Sequence, residues 1–167
     1  PADYTPGVFA FENPIIPGTR VHSTLSNQLA LFVVLYSPLQ MACDKIENYE
    51  KHPAEFQFLR DVPCDWEQSR LLDGNIGQYV VMARQDRHSE DWYIGAITNE
   101  EPREITIPLS FLGDGEWIAT IYSDAPDADW KTNPYATTIE TRPVSATEEI
   151  KIHLASGGGS AIRFVKR

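Results

Sequence analysis

The hydrophobic pattern of the chain changes near residue 64. Before that point, apolar residues recur at spacings of three and four within 24–36, and further apolar residues fill the opposite face. This spacing predicts an α-helix, and a helix that is apolar on every side is normally buried on every side. Ser23 or Thr24 can cap the start of the helix, and Pro38 stops it because proline blocks continuation.

Two further elements are predicted before residue 64. The short apolar run 39–43, which is closed by Asp44, has the length of a buried strand. A second helix is predicted to begin at Pro53, because proline is favoured in the first helical turn, and to end at Pro63. Helix, strand and helix in this order are typical of a repeating β/α fold, whose parallel strands are buried on both faces.

After residue 64, apolar and polar residues alternate. Seven β-rich runs are separated by turn residues, at 79–83, 92–97, 105–107, 117–122, 137–139, 150–154 and 161–165. This spacing predicts an antiparallel β-sandwich. The glycine-rich segments 113–115 and 157–159 are predicted to be turns. We therefore predict two parts, 1–63 and 64–167, joined at a short junction.

Composition excludes several classes of protein. The chain has 167 residues and a formal net charge of -10, so a nucleic-acid partner is not expected. No apolar run reaches the roughly 18 residues of a membrane helix. The chain begins at Pro1 without a signal-peptide pattern, so we expect it to begin inside a longer protein. Cys43 and Cys64 are interpreted as buried free thiols in preference to a disulfide.

The sequence carries little recognisable catalytic or metal-binding chemistry. No pair of histidines has the spacing of a metal-binding helix, and no nucleophile-elbow motif is present. The acid-rich segment 123–130 lacks the glycine and glutamate that a calcium loop requires at its sixth and twelfth positions, so we interpret it as a turn. Asp44 is more informative, because it follows the predicted strand where barrel enzymes place their chemistry. Asp44 has a second interpretation, as the cap of a helix or turn. The corresponding interpretation of Asp3 is a residue of a simple turn.

Motifs along the whole chain together resemble glycoside hydrolase family 97. They lie at 3–9, 28–31, 36–42, 47–49, 56–58, 61–63 with 65–66, 91–96, 121–124, 128–131 with 133–134, and 157–159. Examples are the letters DYTPGVF at 3–9, YSPLQMA at 36–42 and DWYIGA at 91–96. No single motif is sufficient, but the combination is specific.

The resemblance implies an enzyme of three parts: an N-terminal β-super-sandwich, a (β/α)8 barrel and a C-terminal antiparallel β-domain linked to oligomerisation. Residues 1–63 would then be the end of the barrel, and 64–167 the C-terminal domain. Members of the family are α-glucosidases and α-galactosidases, commonly periplasmic in Gram-negative bacteria, so the resemblance implies a periplasmic or secreted bacterial protein. Some invert configuration and hold calcium in the site, whereas others retain configuration through an aspartate nucleophile.

By this resemblance, the catalytic and calcium-binding carboxylates lie upstream of Pro1, so no catalytic or metal-binding residue is assigned to this chain. We expect the complete enzyme to cleave terminal α-linked glucose or galactose, with the rest of the enzyme and a second copy as partners of this chain. Asp3, Gln40, Met41 and Asp44 are predicted at the rim of the sugar site.

The alternative is a non-catalytic module for carbohydrate binding or oligomerisation. Trp66 and Trp130 are then the candidates to stack on a sugar, although most aromatic residues of the chain are expected to pack in the core.

Overall fold

The computed structural model describes residues 4–13 and 15–167. Within them the chain forms three α-helices: α1 (Leu25–Val34), α2 (Ile46–Tyr49) and α3 (Pro53–Asp61). The same residues form eight strands: β1 (Trp66–Asn75), β2 (Tyr79–Asp86), β3 (Trp92–Thr98), β4 (Arg103–Pro108), β5 (Trp117–Asp124), β6 (Thr137–Val144), β7 (Glu149–Leu154) and β8 (Gly159–Lys166). In this part of the chain, none of the helices has the length and apolar character needed to cross a membrane.

The strands form two antiparallel sheets packed face to face. Six of them make one sheet in the order β1-β2-β3-β8-β5-β6, and β4 pairs with β7 in the other. Buried and exposed residues alternate along β4 and β7, and the buried ones, such as Ile107 and Ile152, join the core of the larger sheet. The alternating runs after residue 64 are therefore strands β2 to β8, and the antiparallel sandwich that they predicted is present.

Helix α1 covers the other face of the six-stranded sheet, against β3 and β8. Thr24 caps it, since its Oγ1 accepts a hydrogen bond from the Asn27 amide at 3.2 Å. Every residue from Leu25 to Val33 is buried, which confirms the prediction of a helix without an exposed face. The helix ends at Val34, earlier than predicted, because Leu35 already has extended backbone angles.

Two glycines allow α1 to lie directly on the sheet. A Cβ atom at Gly95 of β3 would be 2.5 Å from the carbonyl oxygen of Ala30. A Cβ atom at Gly159 of β8 would be 2.6 Å from the Cα of Asn27. Real Cβ atoms do not approach other atoms so closely, so the helix backbone can sit at this distance only above positions without side chains. The Asn27 amide group adds a hydrogen bond to the Gly158 carbonyl at 2.8 Å.

Arg84 of β2 holds the C-terminal end of α1. Its buried guanidinium donates to the carbonyl oxygens of Val33 at 2.5 Å and Val34 at 3.3 Å, and also to Ser69. The last carbonyls of a helix lack intrahelical partners and carry partial negative charge, so a cation there is stabilising. Sequence periodicity did not indicate this contact, because residues 34 and 84 are far apart in the chain.

Helix α3 begins at Pro53, as predicted, and packs on the same side of the sheet as α1. Phe58 is its fully buried residue, whereas Phe56 and Leu59 are half-buried and pack at the edge of the same core.

Arg163 of β8 connects α3 to the sheet. It pairs with Asp61 at 2.9 Å and with Asp91 at 3.0 Å, and the Tyr93 hydroxyl donates to the Asp61 carbonyl at 2.8 Å. Helices that precede residue 64 thus pack on a sheet built from later residues. The division of the chain at residue 64 stays a prediction, and this chain does not show the end of a barrel.

The strand predicted over 39–43 is wrong. This segment is irregular, with Leu39 72% and Met41 53% exposed. A strand needs a neighbour to pair its backbone groups, and in the described ranges no strand runs beside this segment. Cys43 is consequently exposed, contrary to expectation, although both cysteines are free thiols.

Strand β1 was not predicted from the sequence. It lies at the edge of the six-stranded sheet, and most of its residues are polar and exposed. Because neither face of β1 is well covered, its sequence lacks the alternation by which the other strands are recognised.

Replacing Gly95 with Ala tests the close contact between α1 and the sheet. We expect Gly95→Ala to destabilise the protein by about 1–3 kcal/mol, since the new methyl group must push the helix backbone away. Gly74→Ala in β1 is the matched control. A Cβ atom there would be 3.2 Å from its nearest neighbour, the carbonyl oxygen of Tyr79, so a much smaller shift is needed. Urea unfolding followed by tryptophan fluorescence measures both changes, and equal effects of the two substitutions would contradict the interpretation.

Candidate functional site

Asp44 joins the loop after α1 to the N-terminal segment of the chain. One oxygen, Oδ2, accepts hydrogen bonds from the amides of Phe9 and Ala10, both at 2.7 Å. The other, Oδ1, accepts from the Lys45 amide at 2.7 Å and from the Asn48 side chain at 2.6 Å. The carboxylate therefore ties the segment directly before α2 to residues far away in the chain.

These hydrogen bonds also determine the charge of Asp44. Burial raises the pKa of its carboxyl, but the bonds from Asn48 and from three backbone amides outweigh burial and hold the pKa below its usual range. A general acid needs a pKa raised toward the working pH. Asp44 has the opposite shift, so it is suited to a structural role.

Of the four residues predicted at the rim of a sugar site, the three that the structure describes do not share one cavity. The Gln40 side chain donates to the Leu35 carbonyl at 2.8 Å, and its Oε1 is buried without a partner among the described residues. Gln40 and Asp44 line different cavities, and Met41 projects from an exposed loop. Asp3 lies outside the described residues. Contact of these residues with a sugar stays a prediction.

A cavity of about 680 Å³ lies beside Asp44, between residues 8–13, 19–21 and 43–48. Its wall includes Glu12, Arg20 and Lys45, which are charges of both signs. Glycoside hydrolysis needs two carboxyl groups that flank the scissile bond. Of the two acids in this wall, Asp44 already accepts four hydrogen bonds, so the cavity is poorly suited to that chemistry.

Asp124 is a second carboxylate with a structural role and, unlike Asp44, it is fully buried; the sequence indicated only that it belongs to an acid-rich segment. It is 2% exposed, and its Oδ2 accepts the amides of Ala155 at 2.9 Å and Gly159 at 2.8 Å. Burial raises the pKa of this carboxyl. A Cβ atom at Gly158 would lie 1.9 Å from Oδ2, so the glycine turn before β8 leaves room for the carboxylate.

The acid-rich segment 123–130 starts with the last two residues of β5 and then continues into the predicted turn. Oδ1 of Asp129 accepts the amides of Lys131 at 2.9 Å and Thr132 at 2.8 Å, which is the usual way in which aspartate stabilises a turn. In the part of the chain that the structure describes, no three His, Cys, Asp or Glu side chains come together as metal ligands would. The residues present therefore do not fit a calcium site.

Packing contacts account for the two tryptophans that were considered for sugar binding. Trp66 is buried and meets the Tyr93 ring edge-on at 5.6 Å. Trp130 is half-buried and lies against Gly157. The centre of its ring is 4.1 Å from the centre of the His22 ring. Neither tryptophan favours the carbohydrate-binding alternative.

Exposed apolar residues are concentrated near the start of the chain. The described residues include eleven large apolar side chains that are exposed, and seven of them lie within residues 4–46. We call this set the N-terminal apolar surface: Tyr4, Ile15, Ile16, Tyr36, Leu39, Met41 and Ile46. Exposed apolar side chains that adjoin one another mark an interface with another part of a protein.

The fold defines an antiparallel β-domain that is covered by helices on one face, with Asp44 and Asp124 in structural roles. Residues 65–165 match the family model described as glycosyl-hydrolase 97 C-terminal, oligomerisation. The chain belongs to this family, which confirms the resemblance seen in its motifs.

Relatives of known name agree with this assignment. Over 98% of its length, the chain is 36% identical to a retaining alpha-galactosidase of Bacteroides thetaiotaomicron and covers 25% of it. It is 29% identical, over 95% of its length, to a probable retaining alpha-galactosidase of Streptomyces bingchenggensis, of which it covers 22%. A solved family 97 enzyme of Pseudoalteromonas sp. strain K8, in complex with panose, matches the whole chain with 46% identity and a TM-score of 0.94, and the chain covers 26% of it. The chain thus spans about a quarter of the length of these relatives.

The role of Asp44 predicts a pH-dependent effect of Asp44→Asn. Because the native pKa is below the free value of 3.8, the carboxylate stabilises the fold above that pH, and this stabilisation is lost as pH falls through the native pKa. We expect Asp44→Asn to lower the free energy of unfolding by roughly 1–3 kcal/mol at pH 7. The difference from the unsubstituted protein should shrink below about pH 4.

Urea unfolding at a series of pH values measures this effect. Asp114→Asn, at an exposed position in the loop before β5, is the matched control and should have little effect at any pH. A difference for Asp44→Asn that is independent of pH would exclude the charge as its cause.

Proposed function

We propose that the protein carrying this chain is a glycoside hydrolase that releases terminal α-linked glucose or galactose. In this proposal the chain supplies no catalytic group, and it supports the catalytic barrel and the assembly of subunits. The observation that carries the structural part is the N-terminal apolar surface.

The position of this surface favours contact with the rest of the enzyme. Its seven residues all precede the region 65–165 that the family model matches. Leu39 is 72% and Ile15 86% exposed, and burying a side chain of this size is worth about 1.5–3 kcal/mol. The relatives are about four times longer than this chain, so their remaining length is ample for a barrel that covers the surface.

The names of the relatives support the substrate class. Two are retaining or probable retaining alpha-galactosidases, and the Pseudoalteromonas enzyme was solved with panose and with acarbose. A periplasmic or secreted location and bound calcium are further parts of the proposal, which rest on the resemblance. Since the described residues do not fit a calcium site, the ion would be held by the rest of the enzyme.

Hydrolysis of nitrophenyl glycosides by the complete enzyme tests the substrate class. We expect release of nitrophenol from the α-glucoside or the α-galactoside, and none from the corresponding β-glycosides. Turnover of a β-glycoside alone, or of none of the four, would contradict the proposed activity.

Leu39→Asp tests the contact between the N-terminal apolar surface and the rest of the enzyme. A charge at this position should lower the Tm of the complete enzyme by several degrees, because a carboxylate is costly to bury. Thr106→Asp adds the same charge on the exposed face of β4 and is the control, with an unchanged Tm.

The same substitution in the isolated chain tests whether the loss of Tm requires the rest of the enzyme. There, Leu39→Asp should leave the Tm unchanged, because Leu39 is largely exposed in the chain alone. Equal Tm values for Leu39→Asp and the unsubstituted complete enzyme would show that Leu39 is not covered.

A further inference from the structure

A second apolar surface lies at the end of the hairpin formed by β1 and β2. We call it the hairpin surface; its apolar side chains are Leu71, Ile76, Tyr79, Val80 and Ile97, and it encloses a groove of about 450 Å³. No residue of 4–46 lines this groove. The hairpin surface is thus separate from the N-terminal apolar surface.

Ile76 is the most exposed residue of this surface. It sits at the tip of the hairpin and is 102% exposed, while Leu71 is 64% exposed. The turn itself is closed by a bond from the Gln78 amide to the Asn75 carbonyl at 2.9 Å, and Gly77 supplies its positive φ of 77°. The turn therefore does not require an isoleucine, and polar residues are usual at such positions. A fully exposed isoleucine there is explained best by burial against another molecule.

The hairpin surface also lacks charge. Its eleven lining residues include no Asp, Glu, Lys or Arg, although 23% of the chain is charged and the net charge is -10. Depletion of charge is characteristic of the centre of a protein–protein interface. Two copies of this acidic chain would repel one another at most other surfaces, but contact here brings no like charges together at the centre.

Charged residues of both signs border the hairpin surface. Asp73 and Arg103 both lie close to Tyr79, and the Arg103 guanidinium is 5.2 Å from the centre of its ring. A two-fold axis places the same surface of two copies face to face, so each rim can meet opposite charges of the other. The rim is therefore compatible with self-association.

We propose that two copies of this chain associate through the hairpin surface about a two-fold axis, with both Ile76 side chains near the centre. The proposal deepens the subunit assembly given under the proposed function and rests on it. The hairpin surface lies within residues 65–165, which match the family model described as an oligomerisation domain. A second copy of the chain is therefore the partner that the observations favour.

Contact is through side chains, and not by joining β1 edges into one continuous sheet. The register of β1 against β2 shifts between Trp66 and Gln68 and again between Leu71 and Asp73. Such bulges interrupt an edge and protect it from pairing with another strand. A standard interface takes roughly 20–30 residues from each partner, so the eleven residues of the groove form its centre.

Ile76→Asp in the complete enzyme tests the proposal by sedimentation velocity over a range of concentrations. We expect the dimer dissociation constant to rise at least about tenfold, since a charge replaces a central apolar contact. Ile139→Asp is the matched control: it adds the same charge at a 40% exposed isoleucine on β6, the opposite edge of the sheet. This control should leave the dimer intact, and circular dichroism should show that both variants are folded.

Three results would overturn the proposal: a monomeric unsubstituted enzyme at every concentration, a dimer unaffected by Ile76→Asp, or equal dissociation by both substitutions. Turnover of the nitrophenyl α-glycosides is measured on the same samples. An inactive enzyme whose dimer is broken by Ile76→Asp alone would contradict the proposed activity and still support the interface.

Discussion

The close contact of α1 with the six-stranded sheet is the constraint on which the rest of this structure depends. The helix backbone lies on Gly95 and Gly159, where any side chain would collide with it. Its first turn is capped by Thr24, and its last carbonyls are held by Arg84. Every residue of α1 from Leu25 to Val33 is buried, because the sheet covers the helix on one side and α3 and the N-terminal segment cover it elsewhere. Those segments are ordered around it.

Buried and half-buried charged side chains connect segments that are distant in the chain. Asp44 joins the loop before α2 to the N-terminal segment, Asp124 holds the turn before β8, and Arg163 links α3 to two strands. Asp44 accepts four hydrogen bonds and Arg163 pairs with two aspartates. Asp124 accepts two backbone amides through Oδ2, while its Oδ1 is buried without a partner among the described residues. These contacts give the three side chains structural roles.

The two apolar surfaces lie in different parts of the chain. The N-terminal apolar surface lies on segments that precede the family-matched region, whereas the hairpin surface lies within it. In our proposals the first contacts the rest of the enzyme and the second contacts a second copy of this chain, so each contact uses its own set of residues. Family membership is shown by the chain itself, and the cleavage of α-glycosides by the complete enzyme is our proposal.

Sequence periodicity determined the buried helix α1, the start of α3 at Pro53 and the seven alternating strands β2 to β8, because each is a local pattern of burial. The family followed from motifs spread over the whole chain. Only the tertiary structure decided that 39–43 is an exposed loop, since a strand exists only where a neighbour pairs with it. The tertiary structure likewise revealed β1, the four hydrogen bonds of Asp44 and the exposed Ile76. Each of these features depends on what the folded chain places beside a residue, or leaves uncovered, and the spacing of apolar residues along a sequence does not record it.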